Sequence, residues 1–151
     1  MDFFKLSLLG VSLAAGAVIS LQVGVNSALR EKLPHPMQAT LVSFFTGGVA
    51  ALLYCLILRP RLPDRQLLAQ QPWWIWSGGL LGLFYVWSTV VIAPRVGVSL
   101  MLAFTVAGQL LAALVIDHFG WFQAAAIPVS MGRMLGALIV VAGATILLLA
   151  K

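Results

Sequence analysis

The chain has 151 residues, 62% of them hydrophobic and 9% charged, with a mean hydropathy of +1.05, a makeup far outside that of soluble domains. Its formal net charge of +5 does not form a nucleic-acid-binding patch. The Lys and Arg residues stand one to three at a time beside apolar stretches, where they meet lipid headgroups. Cys55 is the only cysteine, which excludes an intrachain disulfide and leaves redox compartment unread.

Five apolar stretches, 4–29, 38–58, 73–94, 96–116 and 131–150, are each about long enough to cross a bilayer as a helix. The first is too long for the apolar region of a signal peptide and is expected to stay in place. Along it Ser12, Gly16, Ser20, Gly24 and Ala28 recur every fourth residue, a small-residue track that lets helix backbones approach closely in lipid. Gln22 and Asn26 point to nearly the opposite side at about 100° per residue. Hydrocarbon does not satisfy amides, so both sides are expected to face protein and the first span to sit at the centre of a bundle.

Pro34 and Pro36 end the first helix and make a tight link to the second. Span two aligns Ser43, Gly47, Ala50 and Tyr54 on one stripe. Pro60 and Pro63 close it, residues 66–71 are expected to form a short surface helix, and Trp73, Trp74 and Trp76 anchor span three at headgroup level. That span aligns Gly78, Gly82, Tyr85 and Thr89, and Pro94-Arg95 is read as the break before span four, which carries Thr105 and Gln109. Residues 117–130 are too apolar for an aqueous loop and are expected to lie in the interface. Span five, with Gly132, Gly136 and Gly143, reads as a packing or dimerisation helix.

An odd number of spans puts the two ends on opposite sides. The side of the N-terminus carries Lys5, Arg59, Arg61, Arg65 and Arg133, and the other carries Arg30, Lys32, Arg95 and Lys151. Orientation follows the Lys/Arg excess of short cytoplasmic loops, and here there is hardly an excess. Insertion in both senses is the expectation. The alternative is a single orientation with the Arg59, Arg61 and Arg65 side inside.

With links this short, activity belongs to the membrane helices themselves. No His-Glu-x-x-His, paired membrane carboxylates, Gly-x-Ser-x-Gly or phosphate loop occurs, and the chain reads as a non-enzyme needing no cofactor and no metal. Counting inward from the loops places Gln22 and Ser43 at similar depth, with Tyr85, Trp87, Thr105 and Gln109 near the middle. Gln22, Asn26, Ser43, Tyr85, Trp87 and Gln109 are the candidate substrate contacts, since polar groups inside spans mark pathways more often than scaffolds. Trp87 stands about 20 Å beyond Trp73 along a helix, well clear of the aromatic belt. No ionisable residue lies deep in a span. Asp117 and His118, at the end of span four, are the only coupling candidates, and pairing of Asp117 with Arg133 is the structural role weighed against coupling.

Several segments together resemble the YdcZ-type small proteins of the drug/metabolite transporter superfamily. They are Leu21-Gln22-Val23-Gly24-Val25-Asn26, Val42-Ser43-Phe44-Phe45-Thr46-Gly47, Gly79-Leu80-Leu81-Gly82-Leu83-Phe84-Tyr85-Val86, Ala93-Pro94-Arg95-Val96-Gly97, Gly108-Gln109-Leu110, Asp117-His118-Phe119-Gly120 and Gly132-Arg133-Met134-Leu135-Gly136. The resemblance implies an all-α integral membrane protein of five helices, half of a ten-helix transporter architecture, in a bacterial inner membrane. The chain is also similar in principle to the small multidrug-resistance proteins, but it lacks their membrane glutamate, which counts against proton-coupled export of cationic drugs. Transporters place substrate between inverted repeats near the midplane. A single five-helix unit holds one repeat, and two copies inserted in opposite senses supply the pair.

The expected protein is therefore a dual-topology antiparallel homodimer, or a dimer with a paired homologue, that moves a small neutral or amphipathic solute by alternating access. Its partners are that solute, membrane lipid and a second chain, with no nucleic acid. The alternatives are a non-transporting accessory or assembly subunit and a narrow channel.

Overall fold

The computed structural model describes residues 3–123 and 125–150, and among them regular structure is entirely helical. In chain order the helices are α1 (Phe3–Lys32), α2 (Pro36–Leu58), α3 (Arg65–Ala69), α4 (Gly78–Val96), α5 (Val98–Phe119) and α6 (Met131–Leu149), with one 3-10 segment at Trp73–Ser77 leading into α4 and another at Trp121–Gln123. Five of the described segments are long and apolar enough to span a membrane: α1, α2, Trp73–Val96, α5 and α6. The chain divides into two compact units, Met1–Pro94 and Arg95–Lys151.

In the first unit the short link between α1 and α2 is held by local chemistry. His35 caps α2: its Nδ1 accepts from the Met37 N–H at 3.2 Å, while its own N–H donates to Gln38 Oε1 at 3.2 Å. The cap thus satisfies orphan donors from both directions, and Pro36 occupies the first helical position, where no N–H is needed. α2 ends at Arg59, left-handed at φ 47°, whose N–H reaches back to the Cys55 carbonyl at 2.8 Å. Pro60 cannot continue the helix, so the stop is sharp. Asp64 then caps the single turn of α3 through the Gln66 N–H at 3.1 Å.

The core of this unit lies near that link. Ala39 of α2 and Val86 and Val90 of α4 are buried together, with Leu29, Leu33 and Tyr85 against them. Deeper along α2 the Phe44 ring lies over Gly82 of α4, 3.4 Å from where a Cβ would stand, which is ordinary van der Waals distance.

Within its own unit α1 is largely open. It packs on α2, and only Val23 and Asn26 of its 30 residues are buried. Gly16 and Gly24 of the small-residue track have nothing within 4 Å of a notional Cβ. Internal satisfaction explains how that face stays open. Ser12 donates to the Leu8 carbonyl at 3.0 Å and Ser20 to the Gly16 carbonyl at 3.2 Å, so the hydroxyls need no second helix.

In the second unit the break before α5 falls at Gly97, not at Pro94-Arg95. Pro94 sits inside the last turn of α4, and the chain leaves the helix at Gly97 with φ 90° and ψ 149°, a conformation essentially confined to glycine. α5 packs on α6, with Ala107 and Leu114 buried on one and Ala137 and Ala144 on the other. The two α6 alanines are seven apart and share a face. Gly132, Gly136 and Gly143, the glycines of the expected packing or dimerisation helix, have nothing within 4 Å of a notional Cβ in the single chain. They lie roughly a third of a turn round the helix from the alanine stripe. α5 packs against the alanine face.

Candidate functional site

Hydroxyls and amides behave differently in these spans, and that difference defines the site. Thr46, Ser88, Thr105 and Thr145 each donate to a carbonyl of the preceding turn, at 3.0, 2.7, 2.9 and 2.9 Å. A hydroxyl on a helix commonly does this. An amide arm can as well, as Gln71 Nε2 does to the Leu67 carbonyl at 3.0 Å, but the Gln22, Asn26 and Gln109 amides within the spans do not, and each is left to a partner from elsewhere.

Asn26 has one. It is 4% exposed, and its Nδ2 donates to Ser43 Oγ at 3.3 Å, joining α1 to α2. Counting from the loops had set Ser43 level with Gln22. The structure sets Ser43 against Asn26, one turn further along α1 than Gln22. Thr40 completes this inner face: it is 0% exposed and donates to the Pro36 carbonyl at 3.4 Å. Sequence reasoning passed over Thr40, although its place three residues before Ser43 puts it on the same stripe. Ser27, beside Asn26, holds a buried Oγ with no hydrogen-bond partner among the described residues.

Gln22 and Gln109 are both exposed, and among the described residues neither amide has a hydrogen-bond partner. Gln22 belongs to the first unit, one turn from Asn26 on α1, and Gln109 to the middle of α5 in the second.

The two aromatic candidates of α4 serve different faces. Residues two apart on a helix diverge by about 200°. Tyr85 packs against the Ala39, Val86 and Val90 core, whereas Trp87 lines an open apolar groove of about 320 Å³ with Met37, Leu80, Leu83 and Phe84. The Phe84 and Trp87 rings stand 6.3 Å apart, tilted by 39°, within the range of favourable aromatic pairs. Of the six candidate contacts, the structure brings Asn26 and Ser43 together. It sets Trp87 on a face of its own within the same unit.

The coupling candidates lie at the end of α5, and both are occupied by the connection to α6. Asp117 pairs with Arg133, the side chains 32% and 31% exposed. Arg133 also donates to the Ile127 carbonyl at 3.0 Å, and Ile127 donates its N–H to the Asp117 carbonyl at 2.7 Å. His118 Nδ1 accepts from the Val129 N–H at 3.2 Å. Gly120, left-handed at φ 62°, turns the chain out of α5. Ser130 caps α6 through the Arg133 N–H at 3.4 Å. Among the described residues no cluster of His, Cys, Asp or Glu could hold a metal ion.

Long apolar helices, hydroxyls turned onto their own backbones and ionisable groups confined to the helix ends define an integral membrane protein of helical type. The family model DMT_YdcZ, described as "Putative inner membrane exporter, YdcZ", matches residues 7–146. The chain belongs to this family, and it is an integral protein of the inner membrane. No curated protein and no solved structure matches it.

Proposed function

We propose that the protein exports a small neutral or amphipathic solute by alternating access, as an antiparallel dimer of two copies inserted in opposite senses. The observation that carries this reading is the pair of unpartnered amides, Gln22 and Gln109, on membrane-length helices. In hydrocarbon an unsatisfied polar group costs several kcal/mol, so each amide needs a partner that the described residues of its own unit do not supply. A passing solute and a second copy are the two groups a transporter of this architecture brings to them.

The near-even division of loop charges supports insertion in both senses, and the exporter description of the family supports outward movement. In this reading Gln22 and Gln109 each offer an amide to the solute, the Asn26–Ser43 pair holds α1 on α2 one turn from Gln22, and Trp87 offers an aromatic wall. Tyr85 backs the site from the core. The absence of an acid deep in the spans argues for a solute without a fixed positive charge.

Two measurements test the proposal. A reporter enzyme fused after Lys151 is expected to be active on both sides of the membrane, and activity on one side alone refutes dual insertion. Proteoliposomes are expected to show saturable solute flux that Trp87→Ala reduces. Non-saturable leakage equal to that of protein-free vesicles refutes transport.

A further inference from the structure

We infer that the connection between α5 and α6 is a pH-sensitive clasp, closed while His118 is neutral and opened when it takes up a proton. The geometry of one bond carries the inference. His118 uses Nδ1 as an acceptor for the Val129 N–H, at 3.2 Å, which requires a lone pair on that nitrogen. In the imidazolium both ring nitrogens carry protons. Nδ1–H and the Val129 N–H then face each other as two donors, and the bond is lost. Imidazole is the side chain whose charge ordinarily changes between about pH 5 and 8.

The surroundings leave this bond in control of the outer half of the connection. Residues 125–130 contain no titratable group. The charged groups nearby are Asp117 on α5 and Arg133 on α6, already paired with each other. That pair and the Ile127 bonds fasten the connection at its middle. Between Ile127 and the Ser130 cap, His118 is the side chain that holds the backbone to α5. The Phe119 ring meets the imidazole edge-on, with centroids 4.8 Å apart, and is itself stacked on Trp121 at 5.6 Å. Val129 forms one wall of an apolar groove of about 310 Å³ with Leu114, Phe119 and Met134. Opening the clasp draws that wall away and widens the groove toward the headgroup region. The device stands independently of the proposed transport, because it depends on the fold of the second unit alone.

A spin label at position 129, introduced by Val129→Cys so that the backbone N–H accepted by His118 is kept, in a Cys55→Ser background that removes the only native cysteine, reads the clasp in liposomes by electron paramagnetic resonance. The label is expected to be restrained near pH ~8 and to gain a mobile component near pH ~5. His118→Asn places an amide oxygen near the position of Nδ1 and does not titrate, so its spectrum is expected to stay restrained at both values. His118→Leu is expected to be mobile at both. A wild-type spectrum that does not change with pH overturns the inference. So does a His118→Asn spectrum that changes as the wild type does, or a His118→Leu spectrum restrained at both values.

Discussion

The α1–α2 contact and the α5–α6 connection are both fastened by polar side chains, with opposite chemistry. Within the spans the fastening is one neutral bond, Asn26 to Ser43, on a residue nearly closed to its surroundings. At the helix ends it is a charged network in which Asp117, Arg133 and the Ile127 backbone bind one another while about a third of each charged side chain stays exposed. The contrast follows from the solvent. Charge is expensive in hydrocarbon and tolerable at the interface, where headgroups and water share the cost of solvation. Neutral amides and hydroxyls join helices at depth, and ions shape the connections.

The sharpest way to break this comparison is at Arg133. Arg133→Leu removes two bonds from the guanidinium and leaves the Asp117 carboxylate without its partner. Hydrogen bonds to charged groups contribute about 1.5–3 kcal/mol, reduced here by partial exposure. The expected loss is about 2 kcal/mol in reversible unfolding from mixed detergent micelles. Asp117→Asn, which keeps a hydrogen-bond acceptor facing Arg133, is expected to lose about half as much. If both variants unfold like the parent protein, the ionic network is ornament on a connection that the caps hold alone.

That pairing was legible in the sequence, because Asp117 and Arg133 are the charges flanking one interfacial segment and opposite charges at a membrane edge find each other. The five spans were legible for a similar reason, since length and apolarity are local properties. What the sequence left open was which residues stand at the same depth. The structure pairs Ser43 with Asn26 rather than Gln22, because counting residues from a loop fixes depth only to about a turn, and one turn exchanges one amide for the other. The small-residue track of α1 is open in the single chain. Period four states that a helix can be approached closely, but carries no information about what approaches, and the serines satisfy themselves on their own backbone. His118 was noticed as a titratable group, yet its bond to Val129 depends on a fold-back eleven residues long that no local pattern encodes.

A smaller effect is expected from the neutral pair. Polar contacts between membrane helices average about 0.6 kcal/mol in double-mutant cycles, with a maximum near 1.7. A cycle of Asn26→Val and Ser43→Ala is therefore expected to return a coupling of about 0.6 kcal/mol, well below the loss at Arg133. A coupling as large as that of the ionic network would erase the distinction between depth and edge.

The smallest effect on stability is expected one turn away, and it separates scaffold from site. Gln22 is exposed and without a partner among the described residues, so Gln22→Leu is expected to change the unfolding free energy of the dilute, monomeric protein by no more than about 0.5 kcal/mol. Removing an amide from hydrocarbon also relieves an unsatisfied group, so a slight gain is the expected sign. In proteoliposomes the same variant is expected to lower solute flux, because the amide lost is one the proposed site uses. The two readouts divide the outcomes. Unchanged stability with reduced flux assigns Gln22 to the solute, and unchanged stability with unchanged flux removes it from the site. A loss of stability that appears only at concentrations where two copies associate assigns the amide to the second chain, and the polar contact at that depth then belongs to assembly.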